Sequence, residues 1–171
     1  MTNTPTIYGY PSAEWNLPEE YAHCREAVLA WRDWDWCLRR VPVNALRQVH
    51  AYIWAKIDYS ARANNNWPKP PFVLCAPSKD YAEADCEGFA MAYASLAHSA
   101  LGIDPADIFI TVYHDKLNDV IHAVCVVRTD EGNKVLDQRA IEVMDDVPDP
   151  DIVPLFSINL NGEAFLHGRP A

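Results

Sequence analysis

The apolar pattern of the chain changes at Gly102, and this change constrains the fold more than any other feature of the sequence. Before it, the segment from Cys86 to Leu101 repeats apolar residues at helical spacing, and Gly102 is suited to end that helix. After it, DIFITVYH, VIHAVCVVR and KVLDQRA are typical of successive strands, because β-branched residues dominate them and turn residues separate them. Helices followed by such strands predict an α+β fold, in which N-terminal helices and the cysteine-bearing helix pack on a mainly antiparallel sheet.

Two further helices are predicted in the first third of the chain. Asn16 is placed to cap a helix that begins at Leu17-Pro18, and Asn44 is placed to cap an amphipathic helix over the residues that follow it. His50 lies on the apolar face of the second helix. We interpret it as a core histidine with satisfied nitrogens rather than as a ligand.

The remaining segments are less regular. Residues 62–84 are rich in Asn and Pro, which predicts a long loop that leads into the cysteine helix and forms one wall of its cleft. The tail DIVPLFSINLNGEAFLHGR is expected to add irregular packing or a short strand. Residues 1–171 are predicted to form a single domain, with 1–43 as its helical N-terminal extension.

Charge and cysteine content exclude several classes of function. The net charge is −10 at pH 7, which argues against a nucleic-acid partner, because phosphate binding requires a basic patch. The apolar runs are short, so membrane insertion is not expected. The five cysteines are odd in number, widely spaced and without a C-x-x-C pair, so neither a disulfide framework nor a structural zinc site is expected. Cys24, Cys37 and Cys125 sit among apolar residues and are interpreted as core side chains.

Three residues have the types that cysteine catalysis requires, namely a thiol, a base and a group that orients the base. Cys86 opens the patterned helix, His122 lies in the strand VIHAVCVV, and Asp137 lies in the strand KVLDQR. A hairpin register centred on the turn DEGN places His122 opposite Asp137, within side-chain reach. A buried acid also needs a partner, and His122 would serve. The sequence therefore predicts a Cys86–His122–Asp137 triad, against the alternative that all three are ordinary structural residues.

The same segments carry a resemblance to a known family. DCEGFAMAYASLAHSALGI, IHAVCVV, VLDQR and PLFSINLNGEAFLHG resemble, in that order, the bacterial transglutaminase-like cysteine proteinases over about residues 44–168. The resemblance implies a papain-like, or transglutaminase-like, fold core with Cys86 as nucleophile, His122 as base and Asp137 as orienting acid. It also implies that Asp85 and Glu87 bind calcium, although the chemistry itself requires no cofactor.

Two departures from the family pattern bear on these expectations. Gly88 stands where a second acidic residue often follows, which weakens the expectation of calcium, and LDQ replaces the familiar LDN while the acid is kept. The best-known members act in the periplasm, but MTNTPTIYGYPSAEWN lacks the regions of a signal peptide. We therefore expect a cytoplasmic protein or a component of a phage particle, which would have virion assembly partners.

Three functions remain open at this point. A cysteine peptidase would cleave a protein or peptide substrate through a thioester acyl-enzyme that water releases. A transglutaminase or a deamidase would use the same triad with a different acceptor or a side-chain amide. A non-catalytic structural or binding module would keep only the fold. In the catalytic cases, the oxyanion would be bound by the Cys86 N–H and by a donor from the loop, for which Asn64, Asn65, Asn66 and the Trp67 indole are candidates.

The carboxylates that flank the cysteine oppose its ionisation. Asp85 and Glu87 raise the pKa of a neighbouring thiol, whereas a helix N-terminus lowers it only modestly. We therefore expect an ion pair with protonated His122 to be the main interaction that favours the Cys86 thiolate. The carboxylates are expected to pair with groups at the helix start or to bind a hard cation.

Overall fold

The computed structural model describes residues 7–9, 13–33, 38–60, 67 and 82–168 of the chain. The helices in these ranges are α1 (Ala22–Asp33), α2 (Leu46–Lys56) and α3 (Cys86–Leu101). The strands are β1 (Ala13–Glu14), β2 (Ile57–Tyr59), β3 (Ala82–Ala84), β4 (Ile108–Asp115), β5 (Val120–Thr129), β6 (Gly132–Leu136), β7 (Met144–Asp145), β8 (Ile152–Asn159) and β9 (Ala164–Leu166). None of the described helices is both long and apolar enough to cross a bilayer.

The helix α3 is the centre of the packing and spans the residues predicted from the sequence. The Asp85 carboxylate caps it by accepting a hydrogen bond from the Gly88 N–H at 3.2 Å. Gly102 ends it in the left-handed conformation, with φ of 67°, which costs glycine little. Every residue from Gly88 to Ala97 is buried, because α1, α2, β4 and β5 all pack against this helix.

Seven of the described strands form one antiparallel sheet in the order β1-β9-β8-β4-β5-β6-β7. The central strand β4 pairs with β5 on one side and with β8 on the other. The face that carries Ile110 and Ala123 packs against α3, whereas Phe109 and Val124 belong to a second apolar cluster on the opposite face. This arrangement confirms the predicted α+β fold with a mainly antiparallel sheet.

The strands β2 and β3 form a separate parallel ribbon in which Tyr59 lies opposite Ala84. Because β2 follows α2 directly and β3 ends just before Asp85, the ribbon brings the end of α2 to the beginning of α3. Residues 82–84 are therefore a strand, and the loop predicted over 62–84 is wrong at this end. Most of that segment lies outside the described residues.

An N-terminal strap, residues 7–9, lies on the face of the sheet opposite α3. The Asp146 carboxylate, next to β7, accepts hydrogen bonds from the N–H groups of Ile7 at 2.6 Å and Tyr8 at 3.2 Å. The Tyr8 ring packs on Phe109 with centroids 4.8 Å apart. Further along, β1 pairs with β9 at the other edge of the sheet. The region 1–43 thus contributes a strand as well as the predicted helix.

Two predicted helix caps are wrong. A 3₁₀ turn at Glu19–Tyr21 precedes α1, so Asn16 does not cap that helix. Ala45, rather than Asn44, is the N-cap residue of α2. The Gln48 side chain instead accepts a hydrogen bond from the Asn44 N–H at 2.7 Å.

The tail is more regular than predicted, since it supplies β8 and β9. The sequence did not clearly predict β8 because it contains Pro154, and proline cannot donate a hydrogen bond to a neighbouring strand. The structure accommodates it at an irregularity, where Val112 pairs with Phe156 and Tyr113 pairs with Pro154. This bulge lets an eight-residue strand contain a proline next to the central strand of the sheet.

Candidate active site

Cys86 is the first residue of α3, and its side chain is only partly buried. Its thiol donates a hydrogen bond to Glu87 Oε2 at 3.2 Å. Burial, and then the charge of Glu87, raise the pKa of the Cys86 thiol to about 12, and the Ala123 N–H offsets this only in part. The arrangement in the structure is therefore that of a neutral thiol whose proton is held by Glu87.

His122 and Asp137 form a buried pair. His122 Nε2 donates a hydrogen bond to Asp137 Oδ1 at 2.8 Å, and each side chain is 5% exposed. Because a carboxylate can only accept, Nε2 carries the hydrogen, and Nδ1 of the neutral ring is left free to accept a proton. Burial alone would raise the pKa of Asp137, but the hydrogen bonds and charges of His122 and Arg139 together hold it below its usual value.

The pair forms in a register different from the predicted one. Cys125 lies opposite Leu136, so Asp137 follows the last residue of β6 and stands diagonal to His122 rather than opposite it. Diagonal neighbours on one face of a sheet remain within reach of long side chains, about 7–8 Å between Cα atoms. The expected contact therefore survives the shift in register.

The expected ion pair between Cys86 and His122 is not present in the described part of the chain. The thiol proton points to Glu87 instead, and the carboxylates beside the sulfur disfavour the thiolate that such a pair needs. The sulfur nevertheless lies near the Ala123 N–H, and Ala123 is the residue after His122 in β5. The structure thus brings the start of α3 close to β5, but the side chains of Cys86 and His122 form no ion pair with each other.

Asp85 and Glu87 crowd each other at the start of α3. Burial, and then the charge of Glu87, raise the pKa of Asp85 to about 6. Two adjacent carboxylates with oxygen donors fit the chemistry of a hard cation such as calcium. No cluster of three or more His, Cys, Asp or Glu side chains suited to a metal occurs in the described ranges. A cation here would therefore need main-chain or water oxygens as further ligands.

Residues that sequence analysis did not assign to the site hold Asp137 in place. The Arg139 N–H donates to Asp137 Oδ1 at 2.9 Å, and Arg139 Nε lies 3.7 Å from Oδ2. From α2, His50 Nε2 donates to the Asp137 carbonyl and Trp54 Nε1 donates to the Gln138 carbonyl, both at 3.1 Å. The core interpretation of His50 is confirmed, since it is buried, hydrogen-bonded and stacked on a neighbouring ring. The one signal in the sequence was an arginine two residues after a buried acid.

Tyr59 is a further residue near the site that the sequence did not indicate. Its side chain is 55% exposed. Burial, and then the charges of Cys86, Asp85 and Glu87, raise the pKa of its hydroxyl, which places it within electrostatic reach of the thiol. The ribbon register explains this, because Tyr59 lies opposite the residue before Asp85.

Two of the predicted oxyanion donors, the Cys86 N–H and the Trp67 indole, belong to described residues. The Cys86 N–H lies in the first turn of α3, where amides have no partner within the helix. Trp67 stacks on Phe156 with centroids 6.5 Å apart. Asn64, Asn65 and Asn66 lie outside the described residues, so the second donor stays a prediction.

The other cysteines agree with their predicted role as far as they are described. Cys24 and Cys125 are buried side chains without disulfides. Burial raises the pKa of Cys24 to about 11 and raises that of Cys125 as well. Cys37 lies outside the described residues.

Residues 32–147, more than half of the chain, match the family of bacterial transglutaminase-like cysteine proteinases (BTLCP). The chain belongs to this family. It is therefore a transglutaminase-like cysteine peptidase, and its substrate is a protein. No curated protein sequence matches the chain.

Solved structures agree with this assignment at the level of the fold. Calcium-bound LapG from Legionella pneumophila is 21% identical, with a TM-score of 0.56 over 87% of this chain and 84% of LapG. EGTA-treated LapG is 20% identical, with a TM-score of 0.55 over 86% of this chain and 78% of LapG. The peptidase thus has the transglutaminase-like fold that the resemblance implied. These comparisons do not support the virion partners considered from the sequence.

Proposed function

We propose that this cysteine peptidase cleaves its protein substrate with Cys86 as nucleophile, His122 as general base and Asp137 as the acid that orients the imidazole. The observation that carries the proposal is the buried 2.8 Å hydrogen bond between His122 Nε2 and Asp137 Oδ1. It leaves Nδ1 as the proton acceptor, and the neighbouring residue Ala123 borders the Cys86 sulfur. Family membership supports the reaction, and this geometry supports the proposed roles.

The proposed reaction begins when the Cys86 side chain turns from Glu87 and transfers its proton to His122 Nδ1. The sulfur attacks the substrate carbonyl carbon, while the Cys86 N–H donates to the developing oxyanion. The imidazolium then gives its proton to the leaving amine, and a thioester remains on Cys86. Water, deprotonated by His122, attacks the thioester carbon. The carbon–sulfur bond then breaks, the acyl group leaves as a carboxylic acid, and the imidazolium returns its proton to the Cys86 sulfur.

We also propose that calcium binds at Asp85 and Glu87. LapG has been solved in a calcium-bound form, and in this chain the two carboxylates crowd each other beside the sulfur. When bound, the ion would supply positive charge that neutralises them. Glu87 would then no longer hold the thiol proton, and the Cys86 side chain could turn to His122.

The role of the triad can be tested without knowledge of the natural substrate. The protein is incubated with a mixture of denatured proteins, and new N-termini are identified by mass spectrometry. The unmodified protein should generate them, whereas Cys86→Ala and His122→Ala should not, and Asp137→Asn should be slower by about 10²–10⁴-fold. His114→Ala is the matched control, because His114 forms a similar but exposed pair with Asp119 at 2.9 Å.

Other products would contradict the proposal in specific ways. Incorporation of a fluorescent amine into glutamine, without new N-termini, would indicate a transglutaminase. Conversion of glutamine to glutamate alone would indicate a deamidase. Undiminished cleavage by His122→Ala would reject the triad.

The calcium site is tested by alkylation of Cys86 with iodoacetamide in calcium and in EGTA. Calcium should accelerate labelling and raise the melting temperature, and Asp85→Asn or Glu87→Gln should remove both responses. Glu83→Gln, a change at an exposed carboxylate of β3, should retain them. Equal labelling and stability in calcium and in EGTA would show that the carboxylates are structural.

A further inference from the structure

We propose that Arg139 is a positioning residue for the triad: it keeps the buried Asp137 carboxylate ionised and aimed at His122, and Tyr113 and Asp115 hold its guanidinium in the place where it can do so. The inference rests on the proposed role of His122 and Asp137, and it adds a further element that the reaction requires.

Arg139 contacts Asp137 through two separate groups. Its main-chain N–H donates to Oδ1, the same oxygen that accepts from His122, at 2.9 Å. Its side-chain Nε approaches Oδ2 at 3.7 Å. The first contact persists with any side chain at position 139 other than proline, so only the second depends on arginine.

The buried carboxylate needs this charge. His122 offers no charge while its imidazole is neutral, which is the state required of a general base. In that state Arg139 is the one cation paired with Asp137 among the described residues. A buried acid without a cation tends to take up a proton. A protonated Asp137 could donate to the imidazole instead of accepting, and Nδ1 would no longer be the free nitrogen.

The strand β4 fixes the guanidinium. Arg139 Nη2 donates to the Tyr113 hydroxyl at 2.6 Å, and Nη1 donates to Asp115 Oδ2 at 3.3 Å. Asp115 is itself held by the N–H and the side-chain amide of Asn118, at 3.2 and 2.8 Å. Both terminal nitrogens of the guanidinium therefore donate hydrogen bonds to side chains of β4.

The contacts of Arg139 and Tyr113 with the His122–Asp137 pair form a closed loop. Tyr113 lies directly opposite His122 in the sheet, and its ring packs edge-on against the imidazole with centroids 5.5 Å apart. A path thus runs from His122 through Asp137 and Arg139 to Tyr113 and back to His122. The guanidinium cannot swing away without breaking contacts with the strand that borders the histidine.

The main chain at Asp137 is anchored independently. His50 and Trp54 hold the carbonyls of Asp137 and Gln138 from α2. Removal of the guanidinium should therefore change the charge at the carboxylate more than the path of the chain, which makes the role testable.

Other titratable groups face this pair and act on its pH dependence. They are Tyr113 and Asp115 on β4, His50 on α2 and Tyr93 on α3. Asp145, Asp149 and Asp151 line the same cleft of about 360 Å³ as Arg139. Burial is what opposes ionisation of Asp137, and the hydrogen bonds and charges of His122 and Arg139 offset it.

The test compares Arg139→Gln with Arg139→Lys and with the control Arg128→Gln. Arg128 is also a half-exposed arginine paired with an aspartate, but at the far end of β5. The pKa of Asp137 is measured from its ¹³C carboxyl resonance in the Cys86→Ala protein. Arg139→Gln should raise it by about one unit, since one nearby opposite charge shifts a carboxyl pKa by about 1–3 units. Arg139→Lys should restore most of the shift, and Arg128→Gln should change nothing.

The rate of Cys86 alkylation provides the second readout. The Arg139→Gln protein should lose little rate near pH 8 and progressively more as the pH falls below about 4, approaching tenfold at a pH below the Asp137 pKa of both proteins, because one unit in pKa there corresponds to a tenfold change in the ionised fraction. A merely structural role would lower the rate equally at every pH. An unchanged Asp137 pKa, or an equal loss at every pH, would overturn the proposal.

Two further arms keep the result decisive. Tyr113→Phe removes only one of the hydrogen bonds that hold the Arg139 guanidinium. It should therefore raise the Asp137 pKa by less than Arg139→Gln does. If Arg139→Gln does not fold, an unshifted pKa in Tyr113→Phe overturns the proposal. Alkylation that is insensitive to His122→Ala would instead contradict the proposed function, whereas the carboxyl titration decides the role of Arg139 by itself.

Discussion

Cys86 differs from the other described cysteines in exposure rather than in having a histidine nearby. The Cys24 sulfur lies 3.5 Å from His23 Nε2, so a histidine is available there too. Yet Cys24 is only 2% exposed, whereas Cys86 is partly open at the start of its helix. Access for a reagent or a substrate carbonyl thus separates the two thiols.

This difference predicts selective labelling. Limiting iodoacetamide near pH 7, followed by peptide mapping, should modify Cys86 at least about tenfold faster than Cys24 or Cys125, because buried thiols are inert. His122→Ala should slow the labelling of Cys86 and leave the slow rates of the other two unchanged. Preferential modification of Cys24 would contradict the assignment of the nucleophile.

Asp85 gives a prediction about stability and pH. Folding raises its pKa from 3.8 to about 6. Such a carboxyl favours the folded state while it is protonated, so its contribution is complete below about pH 4 and is lost as the pH rises through about 6. Asp85→Asn keeps a capping oxygen and removes the charge. Without divalent cations, it should therefore be more stable than the unmodified protein near pH 7.5, by about 1 kcal/mol after solvent screening.

Urea denaturation at the two pH values measures this effect. The stabilisation by Asp85→Asn should vanish near pH 4, where the native carboxyl is already protonated. Glu83→Gln serves as the control at an exposed position. A destabilised Asp85→Asn protein at neutral pH would show that the cap outweighs the repulsion.

At the scale of elements, α2 fixes the main chain at Asp137, the acid of the proposed triad, without supplying any of its three groups. His50 and Trp54 stand one turn apart and donate to successive carbonyls after β6. The carbonyl of Asp137 also accepts from the Ala140 N–H at 3.1 Å. The turn that carries the acid is thus held by a helix far away in sequence.

Replacement of His50 tests this anchor. His50→Phe keeps the ring and its packing but removes a buried hydrogen bond, and it should cost about 1–2 kcal/mol of unfolding free energy. Trp54→Phe should cost less, because Trp54 is 46% exposed and water can replace its N–H. Chemical denaturation of the two variants gives the comparison, and a larger loss for Trp54→Phe would contradict it.

The sequence predicted elements where one periodicity was strong and missed contacts that depend on distant packing. The apolar residues at helical spacing, together with Gly102 as the end of the helix, were sufficient to predict α3. The runs of β-branched residues were sufficient to predict β4 and β5. The positions of Cys86 and His122 followed from α3 and β5, whereas Asp137 lies just after β6 and in a register different from the predicted one. Arg139 was not recognised, because nothing in local spacing shows that its guanidinium returns to β4.

The state of the thiol was also beyond sequence reasoning. Both Glu87 and His122 are suitable partners for Cys86 by type, and only the side-chain conformation selects Glu87. In the same way, β8 was not clearly predicted because it contains Pro154. The bulge that accommodates this proline depends on Val112 and Tyr113 in another strand.

At the scale of the whole molecule, the strap of residues 7–9 covers the face of the sheet that α3 does not. Tyr8 packs on Phe109 within the second apolar cluster. The Asp146 carboxylate, next to β7, accepts a hydrogen bond from the strap. Further along the N-terminal region, β1 pairs with β9 at the other edge of the sheet. This face thus depends on a segment from the other end of the chain.

Asp146→Ala should release the strap. It removes the charged acceptor of two main-chain N–H groups, which is expected to cost about 1–3 kcal/mol of unfolding free energy. Asp145→Ala, which removes only an exposed pair with Lys134, should cost less than about 1 kcal/mol. Urea denaturation of both proteins decides the point, and equal losses would mean that the strap contributes nothing.

The sheet order also determines when the chain can complete its fold during synthesis. The central strand β4 meets β5 after a short turn, but its other neighbour β8 emerges from the ribosome much later, and β1 must wait for β9. Until then one side of β4 and one apolar face stay open, which is the kind of surface that chaperones bind. We therefore expect nascent chains stalled before Ile152 to be captured by a chaperone and released once Leu166 has emerged, although α3 is already complete in both.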